Sequence, residues 1–312
     1  MIIDPGPVYS IVTPFERDGG IAWLALGRYV DAICAQAPSA VYVMAYNSRF
    51  AQLSVDEVIG LNRFVATEVR RINPEIPVIA ADPIACSTET SAYVAQRAAE
   101  DGSSLLSALF SEKFYSTAQL VNHFGVLGER AGIPLLVHQM PLISGLGGAQ
   151  VNWPLDAVNA VMTLESVAAM KEDAKDDALT HAILKEFGST RSIILSGGGK
   201  RQFLRHREVG AQNWLNGVGV WHPPLASRFW AAVEEGDEAV IDDVISNVEV
   251  PFFEGPVKSY GWHVACRAAL SVMGWSETWE RLPMPTPGSE VVTDVRRVLR
   301  EMTFQEEPLL PA

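Results

Sequence analysis

The sequence predicts an α/β fold, a closed (β/α)8 TIM barrel with a C-terminal helical appendage. Three observations predict it. Short apolar runs rich in β-branched residues alternate with longer stretches of helical spacing. Eight such runs recur, at intervals of roughly 25 to 40 residues. The runs are apolar on both faces, as strands covered on two sides are, and that favours a closed parallel barrel over an open sheet.

The strand runs are Val8–Thr13, Ala40–Tyr46, Ile76–Ala81, Ser104–Phe110, Ile133–His138, Ser166–Lys171, Ser192–Ser196 and Trp214–Trp221. Pro77 and Pro134 fall at strand starts, where a missing N–H is tolerated. The helical stretches between them are Ala22–Ala35, Ser54–Ile72, Ser87–Glu100, Thr117–Gly132, Pro154–Leu164, Asp176–Phe187 and Lys200–Val209. Ser54 precedes V-D-E, so Ser54 and Glu57 form a capping box. Thr88 or Thr90 is the expected cap of the third helix. After about Pro223 the strand signal stops. Leu225–Glu235, Asp237–Val248, Pro256–Met273 and Glu290–Met302 read as helices, and the tail from Phe304 reads as frayed. The expected division is a barrel over 1–236 and a helical region over 237–312.

Composition narrows the function. The 312 residues are 48% hydrophobic and 20% charged, which fits a globular chain and excludes a mainly disordered one. The net charge of −13 opposes nucleic acid as a partner, since no broad basic face is available. There is no apolar run of about 18 residues, so no membrane span is expected. MIIDPGPVYS lacks a basic n-region and an apolar h-region, so no secretory leader is expected either. Cys34, Cys86 and Cys266 are far apart and odd in number, which points to a reducing cytoplasm rather than a disulfide framework. The histidines show no metal-ligand spacing, so neither a metal nor a cofactor is expected. No G-x-S-x-G elbow occurs and no G-x-G-x-x-G follows a strand, so serine hydrolase and dinucleotide chemistry lack support.

In a parallel barrel the chemistry sits at the C-terminal ends of the strands. Lys171 ends the run S-V-A-A-M-K, so its stem should enter a partly dry mouth, where an ammonium is disfavoured. A neutral amine there attacks a carbonyl and forms a Schiff base. The plain alternative is a lysine that snorkels to solvent and pairs with Glu172 or Asp173. His138 ends the fifth run. Neighbouring strands are about 4.8 Å apart, so His138 and Lys171 are expected to share one mouth, with the imidazole moving protons. Ser196-Gly197-Gly198-Gly199-Lys200 offers backbone N–H groups to a carboxylate, with a flexible turn as the alternative and Lys200 on a solvated helix start. Ser111-Glu112 and Tyr46-Asn47-Ser48-Arg49 close the fourth and second runs.

This layout resembles the dihydrodipicolinate synthase/N-acetylneuraminate lyase family over roughly residues 8–300. The residues that carry the resemblance begin with V-T-P-F-x-x-D-G-G-I (Val12–Ile21), L-S-x-x-E (Leu53–Glu57) and H-F (His123-Phe124). They continue with G-I-P-L-L-V-H-Q-M-P (Gly132–Pro141), A-M-K-E (Ala169–Glu172), S-G-G (Ser196–Gly198) and G-A (Gly210-Ala211). The resemblance implies a barrel enzyme, commonly a homotetramer, that forms an imine between a lysine and pyruvate or another 2-oxo acid, with Lys171 in that role. The departures are as informative. The family's G-T-T-G-E reads Ala45-Tyr46-Asn47-Ser48-Arg49 here, His138 stands for its relay tyrosine, and Ser111-Glu112 for its tyrosine pair. Ile143 occupies the register of a carboxylate-gripping arginine, and Gly198 that of an aspartate.

The expected function is therefore a Schiff-base lyase or synthase, a dimer or tetramer in the cytoplasm, that is not a typical dihydrodipicolinate synthase. Lys171 would form the imine, with His138 and Tyr46 moving protons. Asn47, Ser48, Gly197 and Gly198 would hold the substrate, with Glu112 as a further acid or base. Two alternatives stand beside it: a barrel that binds a metabolite without turnover, and an acid/base enzyme using His138 and Glu112 without an imine.

Overall fold

The computed structural model describes residues 3–43, 52–83, 86–112, 115–139, 142–143, 150–305 and 307–309. Eight parallel strands close into a barrel: β1 (Gly6–Ser10), β2 (Ala40–Tyr42), β3 (Val78–Ala81), β4 (Leu105–Ala108), β5 (Leu135–Gln139), β6 (Val167–Glu172), β7 (Ser192–Leu195) and β8 (Asn213–Leu215). Each pairs with its sequence neighbours, and β8 returns to β1 through Gly6 opposite Asn213. A helix follows each strand in the chain: α1 (Trp23–Cys34), α2 (Val55–Ile72), α3 (Thr88–Glu100), α4 (Thr117–Ala131), α5 (Leu155–Met162), α6 (Asp177–Phe187), α7 (Gly199–His206) and α8 (Pro224–Glu235).

The barrel interior is packed. Val8, Tyr42, Ile79, Leu105, Leu136, Ala169 and Ile194 form one cluster, each no more than 1% exposed. Because side chains alternate along a strand, Ala81, Ser107, His138 and Lys171, each two positions on from a member of this cluster, share the inner face. Outside the barrel, α2 opens with the expected capping box between Ser54 and Glu57. The cap of α3 is Ser87 rather than Thr88 or Thr90; its hydroxyl accepts from the Thr90 N–H at 3.2 Å.

The chain divides into two compact units, Met1–Ser10 with Ser39–Leu215, and Ile11–Pro38 with Asn216–Ala312. The first holds the barrel strands and α2 to α7. The second holds α1, α8 and the C-terminal helices. Its buried centre includes Arg267, whose guanidinium donates to Glu280 Oε1 at 2.8 Å and to the Thr13 carbonyl at 2.7 Å. Among the described residues no helix is long and apolar enough to cross a membrane.

Several expectations need correction. The Trp214–Trp221 run is a short strand followed by a 3-10 turn over Gly217–Val220, because Gly217 turns to φ +54° and ends the pairing. Pro256 does not start a helix. Helical structure runs unbroken from Glu238 to Tyr260, with π turns at Ile245–Glu249 and Phe253–Val257. A proline lacks the N–H and crowds the carbonyl four residues back, and a wider turn relieves both. The break falls at Gly261, at φ +79°, before Trp262–Val272. Leu142–Ile143 pairs antiparallel with Gln150–Val151. The tail is not wholly frayed, since Thr303–Phe304 pairs with Glu307–Pro308. Lys200, expected at a solvated helix start, is 0% exposed.

Candidate active site

β5 and β6 lie side by side with His138 opposite Lys171. Leu136 and Ala169, two residues earlier on each strand, belong to the inner cluster, so His138 and Lys171 also face inward. Both are 2% exposed. Lys171 Nζ lies 2.8 Å from His138 Nε2. It also donates to Asp173 Oδ2 at 3.3 Å, and that oxygen is 3.9 Å from His138 Nε2. Asp173 follows β6 directly and continues its alternation, which returns its side chain to the side of Lys171.

The electrostatics of the three groups are mutually determined. Burial, and then the Lys171 charge, lower the His138 pKa to about 4 although Asp173 pulls the other way, so the imidazole is neutral near pH 7. Burial pushes the Asp173 carboxyl up, but the Lys171 charge and the His138 hydrogen bond outweigh it and hold the group below the usual carboxylate range. With an effective dielectric near 20, Asp173 attracts a unit positive charge by about 5 kcal/mol at the Nζ distance and about 4 kcal/mol at the Nε2 distance. A proton moving from Nζ to Nε2 thus loses only about 1 kcal/mol of this attraction.

Two further polar groups are buried at strand ends, Tyr42 at the end of β2 and Asp82 just after β3. The Tyr42 hydroxyl reaches across from β2 to hydrogen-bond Ser107 Oγ on β4, and both residues are buried. Burial raises the Tyr42 pKa, so the phenol keeps its proton. At the end of β3, Asp82 accepts from Ser91 Oγ at 2.8 Å and from the Leu109 N–H at 3.3 Å. Burial pushes its pKa up to about 7.

Glu172 points the other way. Its carboxylate accepts from the Ala174 N–H at 2.8 Å and from Gln202 Nε2 at 2.9 Å. The Gly198 N–H donates to Gln202 Oε1 at 3.0 Å, so that amide is engaged within the chain. A Cβ on Gly197 would meet the backbone nitrogen of Lys175 at 3.0 Å; glycine lets the loops after β6 and β7 approach. These contacts anchor the segment that carries Asp173.

Of the residues expected in the site, the structure brings Lys171 and His138 together. Glu112 is exposed and lines a cavity of about 300 Å³ with Cys86, Thr88, Glu89, Ser111 and His123; neither Lys171 nor His138 lines it. His123 there is neutral through burial, with Nε2–H donating to the Leu109 carbonyl at 2.9 Å and Nδ1 accepting from Thr88 Oγ1 at 3.0 Å. Tyr46, Asn47, Ser48 and Arg49 lie outside the described residues. Among the described residues no group of three or more His, Cys, Asp or Glu is arranged to hold a metal ion. The sequence reading has Asp173 only as an ion-pair partner of Lys171 and misses Tyr42 and Ser107. For Asp173 the signal was available, since K-x-D at a strand end puts both groups on one side. Tyr42 and Ser107 sit inside apolar runs and carry no local mark.

The model of the Dihydrodipicolinate synthetase family matches residues 6–302. A 4-hydroxy-tetrahydrodipicolinate synthase of Pseudomonas putida (strain W619) is 28% identical over 196 residues, covering 62% of this chain and 63% of that relative. A probable 5-dehydro-4-deoxyglucarate dehydratase of Streptomyces griseus is 22% identical over 311 residues, covering 94% of this chain and 90% of that one. Among solved structures, the N-acetylneuraminate lyase of Mycoplasma synoviae superposes with a TM-score of 0.80 at 16% identity, over 96% of this chain and 97% of the other. At that identity the likeness speaks for the fold alone.

Proposed function

The chain belongs to the dihydrodipicolinate synthetase family, and from that premise we propose that it is a Schiff-base-forming lyase or synthase acting on pyruvate or another 2-oxo acid. The observation that carries the proposal is the buried contact between Lys171 Nζ and His138 Nε2 at 2.8 Å. An amine in direct contact with a neutral imidazole has a base at hand to take its proton.

In the proposed cycle His138 accepts a proton from Nζ, and the amine attacks C2 of the 2-oxo acid. The C2 oxygen takes up protons and leaves as water, and the nitrogen becomes an iminium. The iminium draws the electron pair of a C3 bond toward nitrogen and gives an enamine. Breaking a C–C bond at C3 is aldol cleavage, and its reverse is condensation. Loss of a hydroxyl group farther along the chain is dehydration, and passes through the same enamine. The relatives include some named as probable dehydratases and others named as synthases, and one enamine serves both outcomes.

Tyr46 is proposed to assist proton transfer. Asn47 and Ser48, with the Gly197 amide, are proposed to hold the substrate carboxylate. Gly198 contributes by its fold, since its N–H is taken by Gln202. Assembly as a homo-oligomer, a dimer or tetramer, belongs to the same proposal. The test is borohydride reduction in the presence of a panel of 2-oxo acids that includes pyruvate. Peptide mass spectrometry should find a reduced adduct on Lys171, absent from Lys171→Ala. No adduct with any member of the panel would refute the proposal.

A further inference from the structure

We propose that Asp173 is a catalytic residue of this site: its carboxylate is the fixed counter-charge for one positive charge that passes between Lys171 Nζ and His138 Nε2 during imine formation. The inference rests on the imine reading above and adds a residue to it. The three atoms form a closed triangle, with Nζ and Nε2 2.8 Å apart and Asp173 Oδ2 at 3.3 Å and 3.9 Å from them. Both bases are 2% exposed, whereas the Asp173 side chain is 26% exposed and so sits at the open side of the group. Its loop is fastened by the Glu172 contacts to Ala174 and Gln202, so the carboxylate is held on a supported backbone.

The charge balance of imine formation explains why such a group is needed. The overall step is a ketone plus an ammonium giving an iminium plus water. One positive charge is present before and after, at the same nitrogen. In between, the nitrogen must be neutral to attack, and its proton must go elsewhere. Among the described residues the acceptors in contact with Nζ are His138 Nε2 and Asp173 Oδ2. Proton transfer to His138 creates an imidazolium in a site that burial makes hostile to it. A carboxylate within reach of both nitrogens offsets that cost at either end of the transfer. The imidazolium then delivers its proton to the C2 oxygen as the C–N bond forms, and neutral His138 next takes a second proton from the now cationic nitrogen and passes it to the same oxygen. Departure of that oxygen as water returns the charge to nitrogen as the iminium. Asp173 stays ionised throughout and faces the charge at each stage, so no oxidant, reductant or metal enters the balance.

The test compares Asp173→Asn and Asp173→Glu with wild type in the rate at which pyruvate gives a borohydride-trappable adduct on Lys171, read by intact mass after rapid quenching. Folding is checked by circular dichroism, and Asp173→Ser replaces Asp173→Asn if that variant does not fold. The neutral variant should form the adduct at least about a hundredfold more slowly, and Asp173→Glu should recover most of the rate. Combining Asp173→Asn with His138→Gln should slow the reaction little beyond His138→Gln alone, because both act on one proton. A purely structural role would instead give additive losses. A folded neutral variant that traps pyruvate at the wild-type rate would overturn the inference and leave the imine reading standing. If wild type does not trap pyruvate, the comparison is run with the panel 2-oxo acid that it does trap, and absence of any adduct in wild type with every member of the panel would overturn both.

Discussion

Replacing Asp82 with asparagine should remove a pH-dependent weakness from the barrel. Asp82 ends β3, is 2% exposed, and accepts hydrogen bonds from Ser91 and from the Leu109 amide. Those bonds lower its pKa, but burial raises it more, to about 7 against an ordinary 3.8. A carboxyl with a raised folded-state pKa binds its proton more tightly in the native chain than in the unfolded one. Its contribution to stability is therefore fully present below about pH 4 and is lost as pH rises through about 7. The gap between 7 and 3.8 is worth at most about 4 kcal/mol, at about 1.4 kcal/mol per pH unit. About 2.5 kcal/mol of this falls between pH 5 and pH 8. Asp82→Asn cannot ionise, keeps one acceptor oxygen and forfeits the other, a pH-independent loss of about 1 kcal/mol. Urea unfolding of both proteins at pH 5 and pH 8 isolates the effect, because every other titrating group is common to the two. The wild type should lose about 2.5 kcal/mol more than the variant over that range. Equal pH dependence in the two proteins would refute the reasoning and show that Asp82 is ionised at little cost.

Two other substitutions separate catalysis from support. His138→Gln keeps a side chain able to accept from Nζ but removes the base, so adduct formation on Lys171 should slow by about 10²- to 10⁴-fold in quenched trapping; a rate within a few fold of wild type would take His138 out of the proton step. Arg267→Ala strands the Glu280 carboxylate, whose side chain is 1% exposed, and should cost about 3–5 kcal/mol in urea unfolding. A loss under about 1 kcal/mol would show that the buried pair contributes little.

The sequence is most readable where local pattern and final environment agree. Eight apolar runs at regular intervals are enough for the barrel, and adjacent runs become adjacent strands, which is why Lys171 and His138 were expected to meet and do so. Where tertiary contacts decide, local pattern misleads. Lys200 follows three glycines and looks like a solvated start, yet it is buried, because the direction of a side chain on the first turn depends on what packs against it. Trp214–Trp221 has the apolar content of a strand, but short apolar runs do not distinguish a strand from a 3-10 turn, and one glycine at positive φ settles the matter. Pro256 reads as a boundary by the usual exclusion of proline from helix interiors, and the exclusion fails where a π turn gives the ring room.

The site follows the same division. The amine is visible because a lysine at the end of an apolar strand is costly and therefore informative. Asp173 is less visible, because a carboxylate beside a lysine reads first as an ordinary solvated ion pair. What separates a solvated ion pair from a catalytic one is the third group and the burial of the other two. A lone Lys171–Asp173 contact would simply hold an ammonium in place and oppose attack on a ketone. With His138 at 2.8 Å the same carboxylate stabilises the proton on either nitrogen almost equally, so the charge can leave Nζ without leaving its counter-charge. The reactivity proposed for Lys171 thus depends on a distance between two strands, which the register of β5 against β6 determines and which no residue of either strand announces alone.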